Sequence, residues 1–396
     1  MKNIHIGITG PIYTPSLKAV IKNYNDNWPK GLGGVPVNQL IESLVIKGYR
    51  VSVFSNSPDV DEGKEFVHHQ DNLSIYIGPS RSRVKYQVLD FYKIERNYIT
   101  ESLKRAKPDI IHAHWQYQWA WAALDSGIPT LITCHDSPLH VLKSNPDTFR
   151  LFRFLIALIV LKKAKYLTTV SPYCAEGIKL LTNKHISIIP NYESNFVYSL
   201  YATRSISSDR NIRIAMINNG FTKRKNVEVG IQAFEIFLNK YPNSQLHLFG
   251  IDHGINEKAY HWCKAKNIDT CNIHFHGNLE FDSLMKTLST MHVLLHTSTE
   301  ESFGMVIVEA MAMGIPVVAG KESGGPAWIL NNGGGILTDI NNKTKVYQSL
   351  IEIVQKDTYI LNSKSARKSA LERYCEDKVV NMYITEYETL LKFMYN

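Results

Sequence analysis

Short apolar runs alternate along this chain with longer stretches whose apolar residues recur at helical spacing, and the alternation occurs in two series. The first series of runs is Ile4 to Thr9, Val51 to Ser55, Ile110 to His114, Thr130 to Cys134, Tyr166 to Val170 and Ile186 to Ile189. The second is Ile212 to Ile217, Gln245 to Phe249, Asn272 to Phe275, Met291 to His296 and Pro316 to Ala319. Runs of this kind separated by helical segments predict a parallel α/β sheet in each half. A polar stretch from Glu193 to Asn211, containing Ser205-Ile206-Ser207-Ser208-Asp209-Arg210, has little periodicity and is expected to connect the halves. In doubly wound sheets ligands bind beyond the carboxyl ends of strands, so chemistry is sought in the loops there.

One such loop stands out. The strand ending at His296 is followed by Thr297-Ser298-Thr299-Glu300-Glu301 and then by Val306, Ile307, Ala310, Met311 and Met313 at helical spacing, with Gly314-Ile315-Pro316 as the stop signal. The helix start offers unpaired amides and the positive end of a dipole, which suits a diphosphate. Glu301 and Glu309 would be repelled by that anion unless each accepts hydrogen bonds from neutral hydroxyls, which sugars supply. Glu309 lies roughly 12 Å further along, so one acid could reach a hexose and the other a ribose. A solvated acid steadying the helix dipole would look the same in isolation.

Other segments carry weaker signals. Gly31-Leu32-Gly33-Gly34 precedes a helix ending at Gly48, as either a plain turn or a place where backbone approaches a ligand. His135 follows the apolar run Thr130 to Cys134, and Trp115, Tyr117, Trp119 and Trp121 follow another, as core aromatics or as the lining of a ligand site. Lys223-Arg224-Lys225 follows the first strand of the second series, as a solvated basic turn or a cradle for a leaving diphosphate. Asp59-Val60-Asp61 is the one DxD, a pattern that can bind a metal ion. It reads as part of a solvated acidic loop away from the end of a buried strand.

The run Thr297 to Gly304, continued by Glu309-Ala310-Met311-Ala312-Met313-Gly314-Ile315-Pro316-Val317-Val318, resembles the signature of the retaining family 4 glycosyltransferases of the GT-B fold. The resemblance implies an α/β architecture of two doubly wound, Rossmann-like domains facing across a cleft. Residues 1–195 would form the acceptor side, 196–377 the nucleotide-sugar side, and 378–396 a helix returning to the first domain. It implies retaining transfer of a hexose-type sugar from a UDP- or GDP-sugar to a glycan or lipid-linked glycan, in bacterial surface polysaccharide assembly (O-antigen, LPS or capsule). No metal and no other cofactor would be needed.

By the same resemblance Glu301 lies near the transferred sugar, Ser302, Phe303, Gly304, Met305 and Val306 surround sugar and phosphate, and Glu309 holds the ribose. Gly33 and Gly34 would face the donor phosphates, His276 would mark the nucleobase position, and His135 would steady the reacting sugar. Lys225 matches the family lysine that neutralises the leaving group. The family often has arginine directly after a glycine, six positions earlier, where this chain has Asn219, so Arg224 is the local substitute.

Bulk properties adjust this picture only at its edges. A formal charge of +8 favours anionic partners, and no nucleic-acid motif accompanies it. Five scattered cysteines form no metal-ligand spacing and read as reduced. The opening residues read as a strand and turn rather than a signal peptide, so a cytoplasmic location is expected. The segment Arg150 to Lys165 has basic residues around an apolar run and fits either a core helix or peripheral contact with the inner face of the cytoplasmic membrane. Two rival readings remain: a sugar-nucleotide epimerase on the same scaffold and a non-catalytic nucleotide-sugar-binding subunit. A dehydrogenase fits less well, because Gly7-Ile8-Thr9-Gly10 is not a full dinucleotide fingerprint.

Overall fold

Ile6, Ile8, Val51, Val53, Ile110, Ile111, Leu131 and Ile132 are all inaccessible to solvent or nearly so. Strands buried on both faces read as continuous apolar runs, the pattern of parallel sheets covered by helices. The structure, a computed structural model, describes residues 4–206 and 211–395. Met1 to Asn3, ahead of the expected strand Ile4 to Thr9, and Ser207 to Arg210 of the expected connection lie outside the described residues.

The chain divides into two compact units, Met1–Pro190 with Asp377–Asn396, and Asn191–Glu376. The first holds β1 (His5–Thr9), β2 (Arg50–Ser57), β3 (Phe66–His69), β4 (Leu73–Pro79), β5 (Ile110–His114), β6 (Thr130–Cys134), β7 (Tyr166–Thr169) and β8 (Ile186–Ile188). They form one sheet in the order β3-β4-β2-β1-β5-β6-β7-β8, in which only β3 runs antiparallel to its neighbour. The second unit holds β9 (Arg213–Ile217), β10 (Gln245–Phe249), β11 (Ile273–Gly277), β12 (Val293–His296), β13 (Val317–Gly320) and β14 (Gly335–Thr338). All are parallel, in the order β11-β10-β9-β12-β13-β14. Chain order reverses beside β1 and β5 in one sheet and beside β9 and β12 in the other, which are the switch points where such sheets open for ligands.

The final helix, Glu376–Tyr395, packs within the first unit. The Tyr387 hydroxyl and His112 Nδ1 are 2.7 Å apart, and the Tyr383 ring lies 4.9 Å from the His112 ring. Part of the stretch expected to be a bare connection is folded instead. Glu193 is buried with its amide donating to the Tyr374 carbonyl, and the helix Asn195–Ser199 is tied down by the Tyr198 hydroxyl donating to the Ala370 carbonyl at 2.9 Å.

The DxD expectation also needs correction. β2 runs to Ser57 with every residue after Arg50 buried, so Asp59 lies directly beyond the end of a buried strand. Asp59 accepts from the Lys30 amide at 2.8 Å, and Asp61 pairs with Lys64 at 2.8 Å on the surface.

The segment Arg150 to Lys165 becomes the helix Thr148–Lys163, capped by Asp147 accepting from the Arg150 amide at 2.7 Å. Ile156, Ala157, Val160 and Leu161 enter the core, whereas Leu151 and Leu155 are 46% and 39% exposed. Among the described residues no helix is long and apolar enough to cross a membrane.

Candidate functional site

In the second unit, the loops after β9 and β12 flank the switch point and are sewn together. Thr299 donates its amide to the Arg224 carbonyl at 2.8 Å, and Thr297 Oγ1 donates to the Lys225 carbonyl at 3.0 Å. This stitching carries Lys225 to Glu301, with Nζ 2.9 Å from Oε2. Their side chains are only 13% and 23% exposed. His296 at the end of β12 places Nε2 at 3.9 Å from the same oxygen. Arg224 donates to the Glu300 carbonyl at 3.0 Å, with the Glu300 carboxylate 3.6 Å away, so it braces the acidic loop. Asn219 is exposed.

Electrostatics differ sharply between the acids. Burial pushes the Glu301 carboxyl up, but Lys225, with His296 and Arg224 behind it, outweighs this and holds it below its ordinary value. Glu309, in the helix Met305–Ala312, has no such cation, and burial pushes it up to about 7. The His296 imidazole is driven down to about 4, chiefly by burial, so it is neutral at physiological pH.

The raised Glu309 value has a measurable consequence. A folded pKa above the ordinary 4.5 means the folded chain holds a proton that the unfolded chain gives up. This contribution to stability is therefore complete below about pH 4.5 and is lost as pH rises through about 7. The loss amounts to at most about 3 kcal/mol. Urea unfolding at pH 5 and pH 8 is expected to show that decline in the native protein, and Glu309→Gln is expected to flatten it.

Phe303 anchors the loop between the acids, 96% buried, with its ring 6.3 Å from Trp328 and 5.8 Å from Tyr374. Gly304 then caps the helix at φ 108°, ψ 65°, a left-handed conformation that glycine adopts without a Cβ penalty. Gly34 caps the helix Val35–Ile46 of the first unit at φ 107°, ψ 59°. Neither cap supplies a side-chain acceptor, and Pro36 has no N–H. The Val37 and Ile307 amides donate to the Gly34 and Gly304 carbonyls at 3.0 Å, so it is Val35 in one helix and Met305 and Val306 in the other whose amides are left for another partner. The amides of Met305 and Val306 open the second of these helices, and Gly33 and Gly34 lie at the first.

His276 is exposed at the end of β11, stacked on Phe249 at 4.4 Å and 8°, with Nε2 3.0 Å from His247 Nδ1. In the first unit His135 follows β6, with Nε2 2.9 Å from His114 Nδ1 and its ring 4.2 Å from that of Trp115. Burial pushes His135 down to about 3, so it too is a neutral imidazole. The four aromatics after β5, two in the loop and two in the helix Gln118–Asp125, part company. Trp115 packs on His135, the Tyr117 hydroxyl donates to Asp136 at 2.7 Å, Trp121 lies under Arg96 at 3.9 Å, and Trp119 lines a cavity.

Buried polar atoms without partners among the described residues gather at the ends of β9, β12 and β13. Five of them lie there, namely both amide atoms of Asn218, His296 Nδ1, Ser298 Oγ and Ser323 Oγ, while others are scattered through both units. Buried polar groups are nearly always hydrogen-bonded, so such a group of exceptions marks a place built for a polar ligand. Sequence reasoning did not single out Asn218, His296 or Ser323. The available signal was a polar residue closing an otherwise apolar strand at its carboxyl end. Gly324 and Gly325 were likewise passed over, although a glycine pair just after a buried strand signals close backbone approach.

Residues 34–192 match the family described as Glycosyltransferase Family 4, and residues 204–370 match the one described as Glycosyl transferases group 1. N-acetyl-alpha-D-glucosaminyl L-malate synthase of Bacillus anthracis is 26% identical over 313 residues, covering 74% of this chain and 78% of that protein. Sucrose-phosphate synthase from Thermosynechococcus elongatus superposes with a TM-score of 0.75 at 17% identity, over 98% of this chain and 100% of that one. An Anabaena protein, HepE, solved in complex with UDP and glucose, superposes at 0.69 and 17% over 98% and 100%. At these identities the structural likenesses speak for a common fold.

Proposed function

We propose, from the premise that this chain belongs to the group 1 glycosyltransferases with the GT-B fold, that it transfers a hexose-type sugar from a UDP- or GDP-sugar to a hydroxyl of a glycan or lipid-linked glycan. Transfer retains the anomeric configuration and serves surface polysaccharide assembly. The single observation supporting this most strongly is the group of orphaned polar atoms beside the Lys225–Glu301 pair, at the switch point of the second sheet.

In this reading the second unit takes the donor. The free amides of Met305 and Val306, with Ser302 and Gly304 beside them, and the Lys225 ammonium receive the diphosphate, while Glu301 accepts from hydroxyls of the hexose and Glu309 from those of the ribose. The bond from the anomeric carbon to the phosphate oxygen breaks with its electron pair moving onto phosphate, where Lys225 offsets the growing charge. The acceptor oxygen forms the new bond on the same face, and its proton passes to the departing phosphate. His135, neutral and held by His114, hydrogen-bonds a sugar hydroxyl rather than acting as a base. The Gly33-Gly34 turn serves the donor phosphates with its backbone, and the stacked His276 and Phe249 offer an aromatic face beside the nucleobase.

The test is incubation with UDP- and GDP-hexoses and a panel of glycan and lipid-linked acceptors, with product configuration read by NMR. A retained linkage is expected. An inverted product overturns the mechanism, and release of nucleotide with an altered free sugar in the absence of acceptor favours the epimerase.

The proposal includes a cytoplasmic protein with peripheral membrane contact through Leu151 and Leu155, which are exposed on a helix that also carries Arg150. Leu151→Glu with Leu155→Glu is expected to cut co-sedimentation with anionic vesicles at least fivefold without altering the melting temperature. Unchanged sedimentation would remove this part of the reading.

A further inference from the structure

The first unit contains a cavity of about 270 Å³ beyond the ends of β2 and β4, bounded by Asn56, Arg81, Gln118 and Trp119, with Leu32 of the glycine loop and Phe149 as apolar wall. This size is near the lower end of the ~300–1,000 Å³ typical of small-molecule sites, room for one ring rather than a chain. Trp119 is 93% buried, and its indole N–H has no partner among the described residues. An aromatic wall with the Gln118 amide beside it is chemistry that grips a polyhydroxylated ring, and the buried indole N–H within that wall senses what packs on it.

The charge at the rim decides which rings fit. Arg81 donates from Nε and Nη2 to Glu95 at 3.0 and 2.7 Å, and from Nη1 and Nη2 to Asp90 at 2.8 Å each. These bonds occupy four of the five guanidinium N–H groups, leaving one for a ligand. One guanidinium against two carboxylates leaves the cluster with one net negative charge. A phosphate or carboxylate entering the cavity would meet an arginine already spent and two acids that repel it. It could claim Arg81 only by stripping Glu95, whose side chain is 2% exposed and would be left a buried carboxylate without its cation. A hydroxyl asks for no such exchange.

We propose that this cavity binds an uncharged sugar ring of the acceptor and rejects rings that carry phosphate or carboxylate. The proposal rests on the reading of the first unit as the acceptor side. It makes the Arg81–Glu95–Asp90 cluster a filter against anions rather than an anion receptor.

The Trp119 indole N–H is the reporter. The chain has six tryptophans, so a nitrogen-15 correlation spectrum shows their indole signals, and Trp119→Phe identifies one by its disappearance. Methyl α-glycosides of glucose, galactose, mannose and N-acetylglucosamine are titrated without donor, followed by the corresponding 6-phosphates. At least one neutral glycoside is expected to move that signal saturably, and each phosphate is expected to bind at least tenfold more weakly. Asp90→Asn, which makes the cluster neutral, is expected to strengthen phosphate binding at least threefold. Thermal shifts of the native protein with the same ligands give the ranking even if Trp119→Phe does not fold. Phosphates binding as tightly as the neutral sugars, or no response to any neutral glycoside, overturns the proposal. If either happens while hexose transfer is still observed, only the acceptor filter falls. If transfer also fails, the functional reading falls with it.

Discussion

Lys225→Ala is expected to lower kcat/KM for sugar transfer by about 10³-fold, comparable to removing a principal charge-stabilising donor from a pre-organised site. Lys225 is the cation bonded to Glu301 at the switch point of the second sheet, and Arg224 is already braced against Glu300. No metal is assigned to the phosphate in this mechanism, so the loss falls directly on leaving-group departure. Glu301→Ala is expected to cost a similar factor. The double variant should cost much less than the product of the two, because the residues act as one unit.

Folding should survive either change. The loops are joined through backbone acceptors at Arg224 and Lys225, which the substitutions leave in place. Breaking a mostly buried pair that keeps some contact with water should cost about 1–3 kcal/mol. The decisive measurement is kcat/KM alongside the melting temperature. A Lys225→Ala protein that melts normally and transfers within tenfold of the native rate removes Lys225 from the mechanism.

Much of the fold was legible because buried parallel strands must be apolar throughout. Runs such as Ile110 to His114 and Gln245 to Phe249 appear as strands at the predicted limits. Three strands escaped notice for physical reasons. Phe66–His69 is an antiparallel strand at the sheet edge and only alternately half-buried. Leu73–Pro79 alternates at first, since its second and fourth residues are only partly buried. Gly335–Thr338 begins with glycine, and its first three residues are not fully buried.

The site was legible where chemistry and position coincide, as at Glu301 in the loop after β12. Its tie to Lys225 was not, since the two lie 76 residues apart and meet only because β9 and β12 are neighbours in the sheet. The same holds for His135, visible at a strand end, and for His114, which holds it from an adjacent strand. A lone motif can also mislead on context. The two aspartates are exposed as expected, but their distance from a buried strand end was misjudged because β2 extends two residues beyond its apolar core, through Asn56 and Ser57, which are buried although polar.

Gly325→Ala is expected to disable the site from behind, lowering kcat/KM by about 10²-fold, because misplacing catalytic groups by about an ångström costs that much. Gly325 presses on the back of the acidic loop. A Cβ there would lie 2.4 Å from the Phe303 carbonyl oxygen and 2.7 and 2.8 Å from its Cα and nitrogen. All three contacts are backbone, so no side chain can swing aside. The segment cannot drift away either, because Gly325 donates its amide to the Glu301 carbonyl at 2.8 Å and Glu301 donates its own to Ser323 at 2.9 Å. Phe303 is held from beyond by Trp328 and Tyr374. The clash must therefore move the loop that carries Glu301, at a strain of about 1–3 kcal/mol. For a unit of this size that lowers the melting temperature by about 2–10 °C. Gly33→Ala is the contrast, since no atom lies within 4 Å of its Cβ position and only the left-handed φ of 94° is penalised, at about 1–2 kcal/mol. Transfer by Gly325→Ala at the native rate and melting temperature would show that the loop tolerates displacement and that its backbone position does not set the geometry of Glu301.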